Sequence, residues 1–173
     1  MKNIVLIGMP ASGKSTVGVL LAKRLGLNFL DTDLVIQQLE KRPLAELLDR
    51  GNPASFRAME EHHVLGISVT GHVIATGGSV IYGEQAMHHL RRGGIVVYLD
   101  TPLALLEMRI ADLVARAVVM HPSQTLRDLH EERDPLYRRF ADLSIDCLGR
   151  DHEAVATAVK DGIEPFLNRE MIR

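Results

Sequence analysis

Apolar and polar positions along this chain follow two rhythms. Short runs rich in Val and Ile, NIVLIG (3–8), NFLDT (28–32), HVIAT (72–76), GIVVYLD (94–100) and DLSIDC (142–147), alternate with longer stretches of helical spacing. Runs of this length and composition predict buried strands. In STVGVLLAKRLG (15–26), Val17, Leu20, Leu21 and Leu25 share a face and Gly26 supplies a C-terminal stop. The interval 33–70 reads as mostly helical, with Asn52 as an N-cap and Pro53 at the first helical position. Phe56, Met59, His63 and Ile67 then form one stripe, and HEAVATAVKDGIEPFL (152–167) carries another that predicts a packing face. Strand–helix alternation of this kind predicts an α/β fold. Its five-stranded parallel sheet would carry helices on both faces and a ligand crevice at the strands' carboxyl ends.

The length of 173 residues suits one domain with a sizeable core, and no repeat or Pro/Gly/Ser-rich linker divides it. A formal charge of -2 gives no basic field for nucleic acid. The N-terminus MKNIVLIG turns polar and glycine-rich too soon for a signal peptide, and no apolar run is long enough to span a bilayer. Cys147 is the sole cysteine, so no intrachain disulfide can form, and a reducing cytoplasm fits. It reads as a small buried hydrophobe. A monomer is the default expectation for a chain of this size.

The first chemistry sits where the first strand meets the first helix. Gly8 to Ser15 spells G-x-x-x-x-G-K-S, and a chance match in a chain this long has odds of about one in a few hundred. Glycines let backbone N–H groups of Ala11, Ser12, Gly13 and Thr16 curl around phosphate oxygens, with the helix N-terminus adding its positive dipole end. Lys14 would reach the outer phosphates and the Ser15 hydroxyl would ligate Mg²⁺. No N-K-x-D base reader and no L-S-G-G signature occurs, which favours a small-metabolite kinase over a guanine switch or a transporter ATPase.

The second strand runs into DTD (31–33), where alternation would point Asp31 and Asp33 to the same side. Such a pair could orient Mg²⁺ water ligands and accept a hydrogen bond from an attacking hydroxyl; equally, Asp33 could cap a helix starting at Leu34. ATGG (75–78) ends the third strand, and its paired glycines Gly77 and Gly78 allow close backbone approach to a ligand or form a plain turn. Arg57 stands three and four residues before Glu60 and Glu61, so a helical neighbour could hold its fork. By position alone Arg133, in EERDPLYRR, reads as part of a solvated charged face.

GKS, DTD, FRAMEE (56–61), ATGG and ERDPLYRRFAD (132–142) follow one another in an order and at spacings similar to those of shikimate kinases, over nearly the whole chain. The resemblance implies a P-loop NTPase three-layer α/β/α sandwich. It implies a single kinase domain over 1–173, with an acceptor-binding helical insertion at about 33–70 and a lid at about 110–120. It implies ATP and Mg²⁺ as cofactors and transfer of phosphate to the 3-hydroxyl of shikimate in aromatic amino acid synthesis. Asp33 would then hold and partly deprotonate that hydroxyl, and Asp31 would touch Mg²⁺ through water. Arg57 and Arg133 would clamp the carboxylate, and the Gly77–Gly78 backbone would meet a substrate hydroxyl. Arg109 would cover the adenine, and Arg116 would close over the phosphates. The sequence departs from the family pattern at Ser79, where a third glycine is usual, at the apolar lid IADLVA (110–115), at AVV after Arg116, and at His152, where a proline is common.

The doublets His62–His63 and His88–His89 point about 100° apart on a helix, so neither offers two ligands to one ion. Two other functions stay compatible with these residues. One is a related kinase for another small hydroxy acid such as gluconate, and the other is a kinase-like binding module.

Overall fold

The computed structural model describes residues 2–49, 53–110, 118 and 124–168. The strands are β1 (Asn3–Ile7), β2 (Asn28–Asp31), β3 (His72–Ala75), β4 (Gly94–Asp100) and β5 (Leu143–Asp146). All pair in parallel in the order β2-β3-β1-β4-β5. The helices are α1 (Lys14–Leu25), α2 (Thr32–Glu40), α3 (Leu44–Asp49), α4 (Pro53–Leu65), α5 (Glu84–Gly93), α6 (Leu103–Ile110), α7 (Leu126–Phe140) and α8 (His152–Asn168), with a 3-10 turn at Val80–Tyr82.

The central strand explains why NIVLI has no polar alternation. Ile4 and Leu6 face one layer, with Val17 and Leu21 of α1 and Val155 and Val159 of α8. Val5 and Ile7 face the other, with Leu90 of α5 and Tyr137 and Phe140 of α7. A strand covered on both faces must be apolar throughout. The expectation of burial fails at the sheet's margins: β2 and β5 are edge strands, and Asn28, Ser144 and Asp146 are exposed. Cys147 is buried just beyond β5, as expected.

The connection after β1 runs through α1 on one face, and the connection after β3 runs through α5 on the other. The two therefore part at the carboxyl ends of neighbouring strands β1 and β3, which opens a crevice there. Over it stand α2, α3 and α4, pinned by a small cluster of Ile36, Leu47 and Phe56. Pro53 opens α4 as expected, whereas Asn52 lies outside the described residues. The fully buried positions of α4 are Phe56, Glu60 and Val64, while Met59 and Ile67 of the expected stripe are partly buried against the core. A carboxylate in the middle of a buried face is costly unless something uses it.

Candidate active site

The loop after β1 forms a cradle because several of its residues adopt left-handed backbone: φ is 150° at Gly8, 63° at Ala11 and 96° at Gly13. Lys14 opens α1 and is buried, its Nζ donating to the carbonyls of Gly8 and Met9 at 2.8 Å each. Burial pulls its ammonium down to about 8, against the attraction of Asp33 and Asp31. A poorly solvated cation ringed by neutral carbonyls is ready for better acceptors, and phosphate oxygens would be such. The Ser15 hydroxyl donates to Asp31 Oδ2 at 2.6 Å, which sets two hard oxygen donors side by side. Arg109, at the end of α6, donates to the Ala11 carbonyl at 3.1 Å. His152 packs so closely on Gly13 that a Cβ there would lie 2.9 Å from its ring.

Strand alternation does not orient DTD, because β2 stops at Asp31 and Thr32 already belongs to α2. Asp31 is the N-cap, its Oδ1 accepting the Asp33 N–H at 3.0 Å. Asp33 is thereby spared the capping role and faces the cavity. Thr32 Oγ1 accepts the Gly77 N–H at 3.0 Å, tying the helix start to the loop after β3.

An open cavity of about 550 Å³ runs from the phosphate cradle to this second loop. Lys14, Asp33, Glu60, Gly78, Ser79 and Arg133 all line it. Arg133 is wholly buried and so does not belong to the solvated charged face, which Glu131, Glu132, Arg138 and Arg139 do form. The reason is register: Leu129, Arg133, Tyr137 and Phe140 make the inward stripe of α7. Gly78 is wedged between Pro10 and Arg133, and Tyr137 fixes its peptide by donating to the Gly78 carbonyl at 2.6 Å. Gly77 has no room for a side chain, since a Cβ would come within 2.8 Å of Asp33 Oδ1 and closer still to Glu60 Oε1.

Arg57 is placed differently. Neither Glu60 nor Glu61 holds its fork: Glu60 accepts from Ser79, and Glu61 Oε1 accepts the N–H groups of Gln85 and Ala86 at the start of α5. The guanidinium instead stacks on Tyr82, 3.5 Å from the ring centroid. Asp31 and Arg109 likewise lie beside the cavity, hydrogen-bonded to Ser15 and Ala11 of its lining. Arg116 and the lid lie outside the described residues, apart from Ile110 and Val118. The histidine doublets are accounted for locally, His63 by Glu40 at 2.6 Å and His89 by the Ile67 carbonyl at 2.7 Å.

Glu60 is the site residue that pattern reading missed. It is 2% exposed, with Oε2 accepting from Ser79 Oγ at 2.5 Å and Oε1 unpartnered among the described residues. Its only signal was an acidic residue four places after the buried Phe56. Burial, with the Asp33 charge nearby, raises its carboxyl to about 7 against the pull of the Ser79 hydroxyl and the two arginines. Burial and the Asp31 charge raise Asp33 to about 6. A carboxyl pushed up on folding contributes stability that is fully present below its unfolded value near 4.5 and is lost as pH rises through about 7. At about 1.4 kcal/mol per pK unit, ionised Glu60 costs the fold about 3 kcal/mol. Thermal melts should therefore fall between pH 5 and pH 8, and Glu60→Gln should remove a large part of that fall. Ser79→Ala, by withdrawing the hydrogen bond, should move the Glu60 part of the fall to higher pH. An unchanged profile in both variants would refute this account of the pair.

Residues 10–164 match the family model described as shikimate kinase. A curated relative, the shikimate kinase of Caldanaerobacter subterraneus subsp. tengcongensis, is 36% identical over 162 residues, covering 92% of this chain and 94% of that one. Among solved structures, the shikimate kinase from Acinetobacter baumannii in complex with shikimate superposes with a TM-score of 0.86 at 32% identity, covering 98% of this chain and 94% of that one. The shikimate kinase from Aquifex aeolicus gives 0.80 at 30% identity over 95% and 98%.

Proposed function

The chain belongs to the shikimate kinase family, and on that premise we propose that it transfers the γ-phosphate of ATP to the 3-hydroxyl of shikimate through the residues gathered in this cavity. It is an ATP-dependent phosphotransferase. The observation that carries the acceptor reading is the pairing of a fully buried guanidinium, Arg133, with a desolvated carboxylate, Asp33, in one cavity with the P-loop lysine. A guanidinium fork suits a carboxylate, and a carboxylate with a raised pKa suits a hydroxyl proton.

The polyphosphate lies in the Gly8–Thr16 loop, with Lys14 on its outer oxygens. The Ser15 hydroxyl and, through water, Asp31 would hold Mg²⁺; hard oxygens adjacent to phosphate fit that ion. Bound Mg²⁺ supplies charge neutralisation at the transferring group. Arg57 and Arg133 grip the acid, while the backbone at Gly77 and Gly78 approaches its hydroxyls. Asp33 takes the proton of the 3-hydroxyl as that oxygen bonds to the γ-phosphorus, and the bond to the β–γ bridging oxygen breaks. ADP leaves, and Asp33 returns the proton to solvent. Arg109 covers the adenine side, and Arg116 serves as the lid arginine, a device worth about 10³–10⁵ in rate.

We read residues 1–173 as a single kinase domain, acting as a cytoplasmic monomer without nucleic acid or membrane partners. No helix among the described residues is long and apolar enough to cross a membrane, which is compatible with that location. A coupled assay for ADP release with shikimate, ATP and Mg²⁺ tests the function. Turnover that yields shikimate 3-phosphate is expected. Turnover with gluconate alone, or none at millimolar ATP, would overturn the acceptor assignment.

A further inference from the structure

Both guanidinium groups assigned to the acid rest on one side chain that has so far been given no role. Tyr82 closes the 3-10 turn that follows Ser79. Its ring face carries Arg57, whose Nε is buried and has no hydrogen-bond partner among the described residues, so the contact seen there is the ring rather than an acceptor on Nε. Its hydroxyl accepts from Arg133 Nε at 3.2 Å, with the Arg133 guanidinium carbon 5.3 Å from the same ring. The hydroxyl then gives its own proton to Glu132 Oε1 at 2.5 Å, and Gln124 donates to the other oxygen of Glu132 at 2.6 Å.

The direction of this relay is forced. An arginine has no acceptor and an ionised carboxylate has no proton, so a hydroxyl standing between them must accept from the first and donate to the second. A phenol also offers a π face, the surface that holds a cation without consuming its N–H donors. Burial and the bond to Glu132 hold the Tyr82 proton on, above the ordinary phenol value. Two like charges brought to one ring would otherwise spread apart, and Glu132 offsets part of their repulsion; its own carboxyl is held below the usual range by the Tyr82 hydrogen bond first.

We propose that Tyr82 is a positioning residue that gathers Arg57 and Arg133 for a carboxylate, through its ring for the first and its hydroxyl for the second. The proposal rests on the reading that these arginines grip the acid. It requires that ring and hydroxyl act separately, which a merely space-filling tyrosine would not do.

Steady-state kinetics on Tyr82→Phe, Tyr82→Leu, Arg57→Ala, Arg133→Ala and the double variant Tyr82→Phe/Arg133→Ala test it. Losing the hydroxyl should raise KM for shikimate about 5-fold, and losing the ring as well should raise it about 30-fold. In both, kcat should stay within about twofold and KM for ATP should hold, as expected when only ground-state grip is lost. In the Arg133→Ala background, Tyr82→Phe should add nothing. If the arginine variants leave KM for shikimate unchanged, the clamp itself is wrong. If they raise it and both Tyr82 variants stay within twofold, the clamp stands and the brace is wrong. A lower KM in Tyr82→Leu would mean that the ring stores Arg57 away from the acid, which also overturns the brace. Should Tyr82→Leu fail to fold, Tyr82→Phe and its double variant decide alone.

Discussion

Asp33→Asn is expected to lower kcat by about 10³-fold while KM for shikimate changes by no more than a few-fold. The amide keeps the size of the side chain but cannot take a proton, and positioned general bases contribute about 10²–10⁴ in rate. Two features make Asp33 suited to this work. Its cap duty is taken over by Asp31, which leaves both its oxygens for the cavity. Burial and the Asp31 charge bring it up to about 6, close to working pH but still ionised there. The pH profile offers a second check. The wild-type kcat/KM should rise as pH rises through about 6, because the ionised form is the active one, and Asp33→Asn should lose that limb. Near-normal kcat in Asp33→Asn would remove Asp33 from the proton transfer.

Arg133→Ala is expected to raise KM for shikimate about 100-fold or more, with a smaller loss in kcat. A bidentate guanidinium–carboxylate contact away from water is worth about 3 kcal/mol or more, and about 1.4 kcal/mol is a factor of ten. The loss should exceed that of Arg57→Ala, since Arg133 is wholly buried and lines the cavity whereas Arg57 lies against Tyr82 beside it. Removing Arg133 also leaves Glu60 with one fewer cation to offset its charge, so the Glu60 carboxyl should rise further. The thermal midpoint of the variant should therefore fall more steeply with pH than that of the wild type. Unchanged shikimate affinity in a folded Arg133→Ala protein would show that the acid binds elsewhere.

The cradle and the sheet were legible because their causes are local. Gly8 to Ser15 carries most of its own conformation: glycines at two of the three left-handed positions, a lysine at the helix start, a strand before and a helix after. The apolar runs gave the strands to within about a residue or two, because a strand's period and length are written in consecutive residues. The rank of those strands within the sheet was not written there. That NFLD and LSID form the sheet's edges while NIVLI lies at the centre depends on pairing partners far apart in the chain.

The acceptor half of the site divides in the same way. The residue types were visible, and the family resemblance named Asp33, Arg57, Gly78 and Arg133, but their environments were not. DTD could have continued a strand or started a helix, and only the pairing of β2 with β3, which ends at Asp31, decides that Asp31 caps and Asp33 is spared. Arg133 stands in one of the most polar stretches of the chain, and Glu60 in the polar run EEHH of its helix. Each is buried because its helix turns that one position toward a cavity walled by distant segments. Sequence by itself determined the phosphate cradle, the parallel α/β class and the set of charged side chains available for an acid. Tertiary structure alone decided which of those charges lose their water. Desolvation is set by neighbours brought from across the chain, and it is desolvation that moves Lys14, Asp33 and Glu60 away from their ordinary titration ranges.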